Sequence, residues 1–459
     1  MQDIRAHTDQ LLCELFTQID RKGFSVPEDK IWRIEFPTER VDLIQWLSLQ
    51  PFREKLYWKD RHGGLEIAGA GLAKVVSGNR HIDYSHLFDR LHRSLAVSDK
   101  DVRYFGGFVF DQTHPPDRDW EAFAKYRFCV PEFEILAQGE NQWFAYNFVL
   151  NGADDLEPQF LYLKDRITKL QPFRQLGFNH LPDVHSRQDF PDWHSWKENV
   201  LKTLDLFNQD VLKKVVLARK SVLTFNEELN PMELLHLLAV NNFQAFHFYF
   251  QLEPNYAFLG ITPEQLYKRN GNNIFSEAIA GTRPRGQSDE EDTRLGQELL
   301  GSDKDLREHR WVSDTVKSSL EPLCHSMDVL ENETLLKLSH VQHLYTHFHC
   351  LLKQDVRDGE ILASLHPTPA VGGFPREQSM LKITEMEPFD RGWYAGPVGW
   401  ISRDASEFVV AIRSALAKEN TLSLFAGSGI VRGSQPETEW EENENKILNF
   451  SRLFYTSDQ

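Results

Sequence analysis

The chain has 459 residues, 41% of them hydrophobic, with 32 Phe, 12 Tyr and 11 Trp; this excludes disorder over most of its length and allows a large core without staples. Its 51 Lys and Arg stand against 68 Asp and Glu, a formal charge of −17, which disfavours a general nucleic-acid or anionic-membrane surface but leaves room for a local basic pocket. Cys13, Cys129, Cys324 and Cys350 are widely spaced with no CxxC or Cys/His pattern, so they read as thiols in a reducing compartment rather than a disulfide framework or a zinc site.

Over residues 3–20, Ile4, Leu11, Leu12, Leu15, Phe16 and Ile19 fall near helical spacing and predict an amphipathic first helix. The same stretch is charged throughout and has no apolar signal core, and no later run approaches the ~18 apolar residues of a membrane span, so a cytoplasmic location is expected. From about 30 to 160 the texture turns to short strands: IWRIEFP, KLYWKD, VRYFGGFVFD, YRFCVPEFEILAQG and QWFAYNFVLNG, the last two forming a hairpin around Gly139-Glu140-Asn141. The Pro-, His- and Asp-rich stretch from 171 to 197 lacks any period and reads as a boundary or crossover. A second series follows: a helix at 195–209, the strand KKVVLARKSVLTF, a helix from Pro231, then AFHFYFQL, AFLGITPEQLY and IFSEAIAGTRPRG. Residues 289–320 and 329–354 have helical texture, and 396–432 reads as strands broken by glycines. Hairpins mixed with inserted helices indicate an α/β fold of α+β character.

Several residues stand out as candidates for chemistry. Lys214 heads the apolar run Val215–Ala218, where alternation permits either a solvent-facing lysine or a buried base or anion contact. Glu264 follows Gly260-Ile261-Thr262-Pro263; it is either an ordinary first-turn glutamate behind a Thr262 cap or a carboxyl held at a helix start and turned to a pocket. The Gly281-Thr282 pair within Ser276–Gly286 has amides and a hydroxyl suited to a carboxylate, without the spacing of a Walker or dinucleotide loop. His343, near His347 and His349, reads as a structural histidine or a single donor, since its spacing is poor for zinc. Glu308 lies in the charged helix Ser302–Trp311, and in Gly429–Lys446 the spacing puts Glu439, Glu442 and Lys446 on one helix side. Glu437, Glu441 and Glu444 point elsewhere and read as a solvated face. Carboxylates from two helices are the donors a hard cation such as Mg²⁺ takes, together with water and ligand oxygens.

The stretches KKVVLAR (213–219), FLGITPEQL (258–266), SEAIAGTRPRG (276–286), SDKDLREH (302–309), VQHLYT (341–346), LHPTPAVGGFP (365–375), RGWYAGPVGW (391–400), EFVVAIRSA (407–415) and AGSGIVRGSQPETEWEENENK (426–446) carry a resemblance. In this order they resemble the chorismate-binding enzymes, which include isochorismate and salicylate synthases and the large components of anthranilate and aminodeoxychorismate synthases. Within the family the pattern is most similar to the isochorismate synthases of menaquinone biosynthesis. The resemblance implies a large two-layered β-sheet core with outer helices. In place of the roughly three domains suggested by length alone, it implies one assembly: 1–190 as a more divergent N-terminal part and 195–456 as the chorismate-binding catalytic region.

By the same resemblance, Lys214 is the base that activates water for attack at C2 of chorismate, and Glu264 the acid that protonates the departing C4 hydroxyl. Lys214 needs a pKa lowered from roughly 10.4 toward 7–8 for that task, and Glu264 one raised toward 6–7. Glu308 and Glu442 hold Mg²⁺, with Glu439 near it through water. Gly281, Thr282, His343, Tyr394, Arg413, Gly429 and Lys446 form the substrate shell. Ala280 stands where the aminodeoxychorismate type has a nucleophilic lysine, and Asn443 where the family pattern has threonine. The expected activity is Mg²⁺-dependent conversion of chorismate to isochorismate. The alternatives are salicylate synthase, anthranilate synthase component I and a non-catalytic chorismate-binding regulator. Chorismate is the expected partner, with no nucleic acid, membrane or obligatory protein partner.

Overall fold

A computed structural model describes residues 4–22, 27–152, 155–177, 181–242, 244–338 and 341–455. The strands are β1 (Ile31–Pro37), β2 (Lys55–Lys59), β3 (Glu66–Gly78), β4 (Tyr104–Phe108), β5 (Tyr126–Gln138), β6 (Asn141–Val149), β7 (Val184–Phe190), β8 (Lys214–Phe225), β9 (Phe246–Glu253), β10 (Tyr256–Thr262), β11 (Gln265–Asn270), β12 (Asn273–Pro284), β13 (Cys324–Lys337), β14 (Val341–Leu352), β15 (Gly373–Phe374), β16 (Pro397–Ile401), β17 (Ala405–Val410), β18 (Ser414–Lys418) and β19 (Thr421–Val431). The α-helices are α1 (Ile4–Lys22), α2 (Leu43–Leu49), α3 (Tyr84–Val97), α4 (Leu156–Thr168), α5 (Trp193–Asn208), α6 (Pro231–Asn241), α7 (Asp289–Leu300), α8 (Asp303–Leu320), α9 (Asp358–Leu365), α10 (Arg376–Met386) and α11 (Pro436–Ser451).

All strand pairings run antiparallel. Successive side chains of a strand point to opposite faces, and in the central strands both faces are covered. In β9, Phe248 and Phe250 enter one hydrophobic core while Tyr249 enters a second; in β10, Phe258 and its neighbour Leu259 divide the same way. Burial on both sides explains why these strands read as unbroken apolar runs instead of alternating ones. The halves of the chain interleave: β2 pairs with β9 and β4 with β16.

The α/β class with outer helices is borne out, with three differences at element level. Residues 329–354, expected as helix, form β13 and β14, with 339–340 outside the described residues. Their leucines sit near helical spacing, but β14 pairs with β12 on one side and β13 on the other, and this long-range pairing overrides the local pattern. The strand β3, EIAGAGLAKVVSG, carried too many small residues to be read as a strand, yet it pairs along nearly its whole length with β5. The aperiodic stretch 171–197 contains β7, which pairs with β8, and the start of α5; its residues 178–180 lie outside the described residues.

Two helices matter most for the site. α8 is capped by Ser302, whose hydroxyl accepts from the Asp305 N–H, with Asp303 and Asp305 complementing its positive end. It packs on β12. α11 begins at Pro436, which suits a first helical position that needs no N–H. It packs on β19 and α5, and the Trp196 indole of α5 donates to the Pro436 carbonyl at 3.1 Å.

Candidate active site

β8 lies inside the sheet, with β19 along one side and β7 and β15 along the other. Lys214, its first residue, is therefore not an edge lysine: it is 1% exposed, and its Nζ donates to Glu308 Oε1 of α8 at 2.8 Å. The approach depends on Gly429, opposite β8 on β19. A Cβ there would lie 2.9 Å from Lys214 Cε and 3.0 Å from Glu308 Oε1. Burial works against the charged Glu308, but Lys214, by charge and hydrogen bond, with Lys446 and Lys304 farther off, holds its carboxyl below the ordinary range.

Glu264 corrects the expectation of a helix start. It sits in the two-residue link between β10 and β11, its N–H on Thr262 Oγ1 at 3.2 Å and its carbonyl accepting from Val410 N at 3.0 Å. The side chain is buried. That burial, helped by the charge of Glu277, pushes its carboxyl up to about 7 against the opposing pull of Lys214, Lys446 and Arg413.

On the facing wall β12 bulges between Ala280 and Thr282. Gly281 there has φ +70°, a left-handed conformation that glycine adopts without strain. The bulge sets Thr282 Oγ1 2.9 Å from His343 Nδ1, while His343 Nε2 lies 3.2 Å from Arg413 Nη2. A guanidinium can only donate, so Nε2 accepts and the ring proton sits on Nδ1, shared between Thr282 Oγ1 and the Gly281 carbonyl. Burial first, and Arg413 second, lower His343 to about 3, so it is neutral. Arg413 itself is a non-glycine residue at φ +49°, a strained backbone of the kind that clusters at ligand clamps. Tyr394 is buried and stacks on Phe425 at 5.1 Å.

From α11, Lys446 Nζ donates to the Gly427 carbonyl at 2.8 Å and to Glu442 at 2.6 Å. Glu439 is 3% exposed, and burial raises its carboxyl. Lys214, Glu264, Gly281, Thr282, Glu308, His343, Tyr394, Arg413, Gly429, Glu439, Glu442 and Lys446 all line one cavity of about 800 Å³. Asn443, fully buried, is not among its lining residues. Of the three glutamates expected on a solvated face, Glu437 and Glu441 are exposed, Glu437 with Lys197 3.3 Å away. Glu441 borders the cavity, and Glu444 binds Arg187 and the wholly buried Arg219.

Among the described residues, no three His, Cys, Asp or Glu side chains come close enough to cage a metal ion by themselves. Mg²⁺ does not require such a cage, since one or two carboxylates with water and ligand oxygens suffice. Glu308 and Glu442 on the cavity wall, with Glu439 beside them, fit that donor chemistry. Sequence reasoning passed over Glu277 and Arg61, a buried ion pair behind Glu264. A glutamate inside the apolar run SEAIAG was a usable signal, since buried acids need partners.

A cavity between sheet and helices that gathers a buried lysine, a carboxyl pushed up to about 7 and cations suited to an anionic ligand has the character of an enzyme active site. The chain matches the chorismate binding enzyme family over residues 18–454 and belongs to it. It is 31% identical to isochorismate synthase MenF of Escherichia coli over 454 residues, 99% of each chain. It is 32% identical to isochorismate synthase MenF of Bacillus subtilis over 410 residues, 86% of each. The solved structure of the Escherichia coli MenF superposes with a TM-score of 0.85 at 30% identity, covering 97% of this chain and 99% of that one.

Proposed function

We propose that this protein is an isochorismate synthase, converting chorismate to isochorismate by adding water at C2 with loss of the C4 hydroxyl. The observation that carries the reading is the convergence of Lys214, Glu264, Arg413 and the α8 and α11 carboxylates on one cavity. The near full-length likeness to MenF enzymes supports it and favours a role in menaquinone biosynthesis.

Arg413, with a planar fork of donors steadied by His343, binds a carboxylate of the substrate in both distance and plane. Lys446 and the Gly281-Thr282 bulge complete the anion shell, and Tyr394 lines the wall. Lys214 in its neutral form takes a proton from water as the oxygen bonds to C2. Glu264 gives its proton to the C4 hydroxyl, which leaves as water while the double bonds shift. One water enters and one leaves, and proton exchange resets the lysine and the glutamate. Each transfer contributes about 10²–10⁴-fold. Glu308 and Glu442 would hold Mg²⁺, with Glu439 beside it; when bound, the ion supplies a hard positive charge that orients a substrate carboxylate and stabilises developing negative charge.

We read residues 1–190 as the N-terminal part of one assembly with 195–456, on the strength of the interleaved strands. The cytoplasmic reading is supported by four free cysteines.

Purified protein incubated with chorismate and Mg²⁺, with and without ammonium, and assayed by mass spectrometry should yield isochorismate in both cases. Lys214→Ala should lose that product while folded. Salicylate with pyruvate, or anthranilate on adding ammonium, would overturn the assignment.

A further inference from the structure

Arg61 sits in the turn between β2 and β3, far in sequence from every residue of the cavity, and is 5% exposed along its side chain. Its Nη1 donates to the carbonyl of Pro263 at 2.9 Å and to Glu277 Oε2 at 3.0 Å, and its Nη2 donates to Glu277 Oε1. Tyr345 of β14 donates to the same Glu277 Oε1 at 2.8 Å. The turn is itself held: Asp60 Oδ1 accepts from the N–H groups of His62 and Gly64 at 3.1 and 2.8 Å. Pro263 is the residue before Glu264, so the guanidinium grips the peptide that carries the proposed acid. Among the described residues, the other hydrogen bonds that fix Glu264 are its backbone contacts to Thr262 and Val410.

We infer that Arg61 and Glu277 are positioning residues for Glu264: Glu277 anchors the Arg61 guanidinium, which fixes the Pro263–Glu264 peptide. The inference rests on the reading of Glu264 as the proton donor. The charges facing Glu264 are Lys214 from β8, Lys446 from α11, Arg413 from the β17–β18 link and Glu277 from β12. Glu277 in turn faces Arg61, Tyr345 and His347. The Glu308, Glu439 and Glu442 carboxylates line the same cavity as Glu264, and Arg61 limits the charge that Glu277 adds.

The signs are separable. In Glu277→Gln, the Glu277 charge is gone and Arg61 stays cationic, so Glu264 loses its proton more easily. In Arg61→Met/Glu277→Gln, both charges are gone, which avoids a lone buried ion, but the grip on the Pro263 carbonyl is lost. The test is the pH dependence of kcat and kcat/KM for chorismate with Mg²⁺, on variants whose circular dichroism matches the parent. Glu277→Gln should move the alkaline limb down by about one pH unit. The double variant should return the limb toward the parent while kcat falls by up to about 10²-fold, as expected for a displaced acid. An alkaline limb unmoved in Glu277→Gln, or a parental kcat in the double variant, overturns the inference. Glu264→Gln serves as the separate control: if it keeps the parental limb, the acid role of Glu264 has failed, whereas an inactive Glu264→Gln beside an unmoved Glu277→Gln limb sinks the positioning role alone.

Discussion

At the scale of single residues, the site depends on close approaches that leave no spare volume. Gly429→Ala should leave the fold intact, because the added methyl meets the flexible ends of Lys214 and Glu308. It should still displace that pair and lower kcat by about 10-fold or more, read from steady-state kinetics beside an unchanged melting curve. Glu308→Ala and Glu442→Ala should each weaken Mg²⁺ binding in isothermal titration as well as activity; normal affinity in both would remove these carboxylates from the metal. Glu264 has a thermodynamic signature apart from turnover. Its carboxyl titrates near 7 in the folded protein against an ordinary 4.5. Between those values the unfolded chain gives up a proton that the folded protein keeps, so Glu264 makes stability fall as pH rises through that window. Glu264→Gln should therefore be more stable than the parent at pH 8, by roughly 2–3 kcal/mol, and equal to it near pH 4 in urea unfolding. The candidate residues were legible as members of ordered motifs. The chain of contacts from Thr282 through His343 to Arg413 was not, because it joins three separate strand regions and exists only after the sheet has formed.

Among the elements, α11 has the most varied tasks. Glu439, Glu442 and Lys446 serve the cavity, as the three- and four-residue spacing predicted. On the other side, expected as a solvated face, Glu437 and Glu441 are exposed, but Glu444 is structural. Glu444 is half-buried and is the partner of Arg219, whose guanidinium also lies 3.8 Å from the Trp440 ring centre. Truncating it leaves a buried cation short of its counter-charge, so Glu444→Ala should cost roughly 3 kcal/mol. Glu437→Ala, which loses only an exposed pair with Lys197, should leave the stability close to the parent's. Denaturant midpoints of the two variants check the contrast. Sequence alone could not separate these glutamates, since what distinguishes them is Arg187 and Arg219 arriving from β7 and β8. The same limit explains β13 and β14: aliphatic spacing is local information, whereas a strand buried between two others is decided by its neighbours. Strands with aromatic and β-branched runs, such as β5, β8 and β9, were legible because burial on both faces leaves an apolar trace in the sequence itself.

For the molecule as a whole, four buried histidines set the acid limit. Burial lowers His247 and His309 to about 4, and His343 and His366 to about 3, from an ordinary 6.5. Below pH 6.5 the unfolded chain takes up protons that the folded protein refuses, so stability falls as pH drops, by at most about 1.4 kcal/mol per histidine per pH unit. Glu264 opposes this trend, together with other carboxyls that burial raises, such as Glu439 and Glu387. The melting temperature should fall steeply between pH 6.5 and 4.5, and a flat profile would count against burial of these rings.

The interleaved sheet also bears on the birth of the protein. Lys55 of β2 pairs with Gln251 of β9, and at about 5–20 residues per second the ribosome delivers the second strand roughly 10–40 s after the first. For that interval the aromatic-rich β2 has only β3 beside it and its other edge open, which makes the nascent chain a client for holding chaperones and an aggregation hazard when synthesis stalls before residue 250.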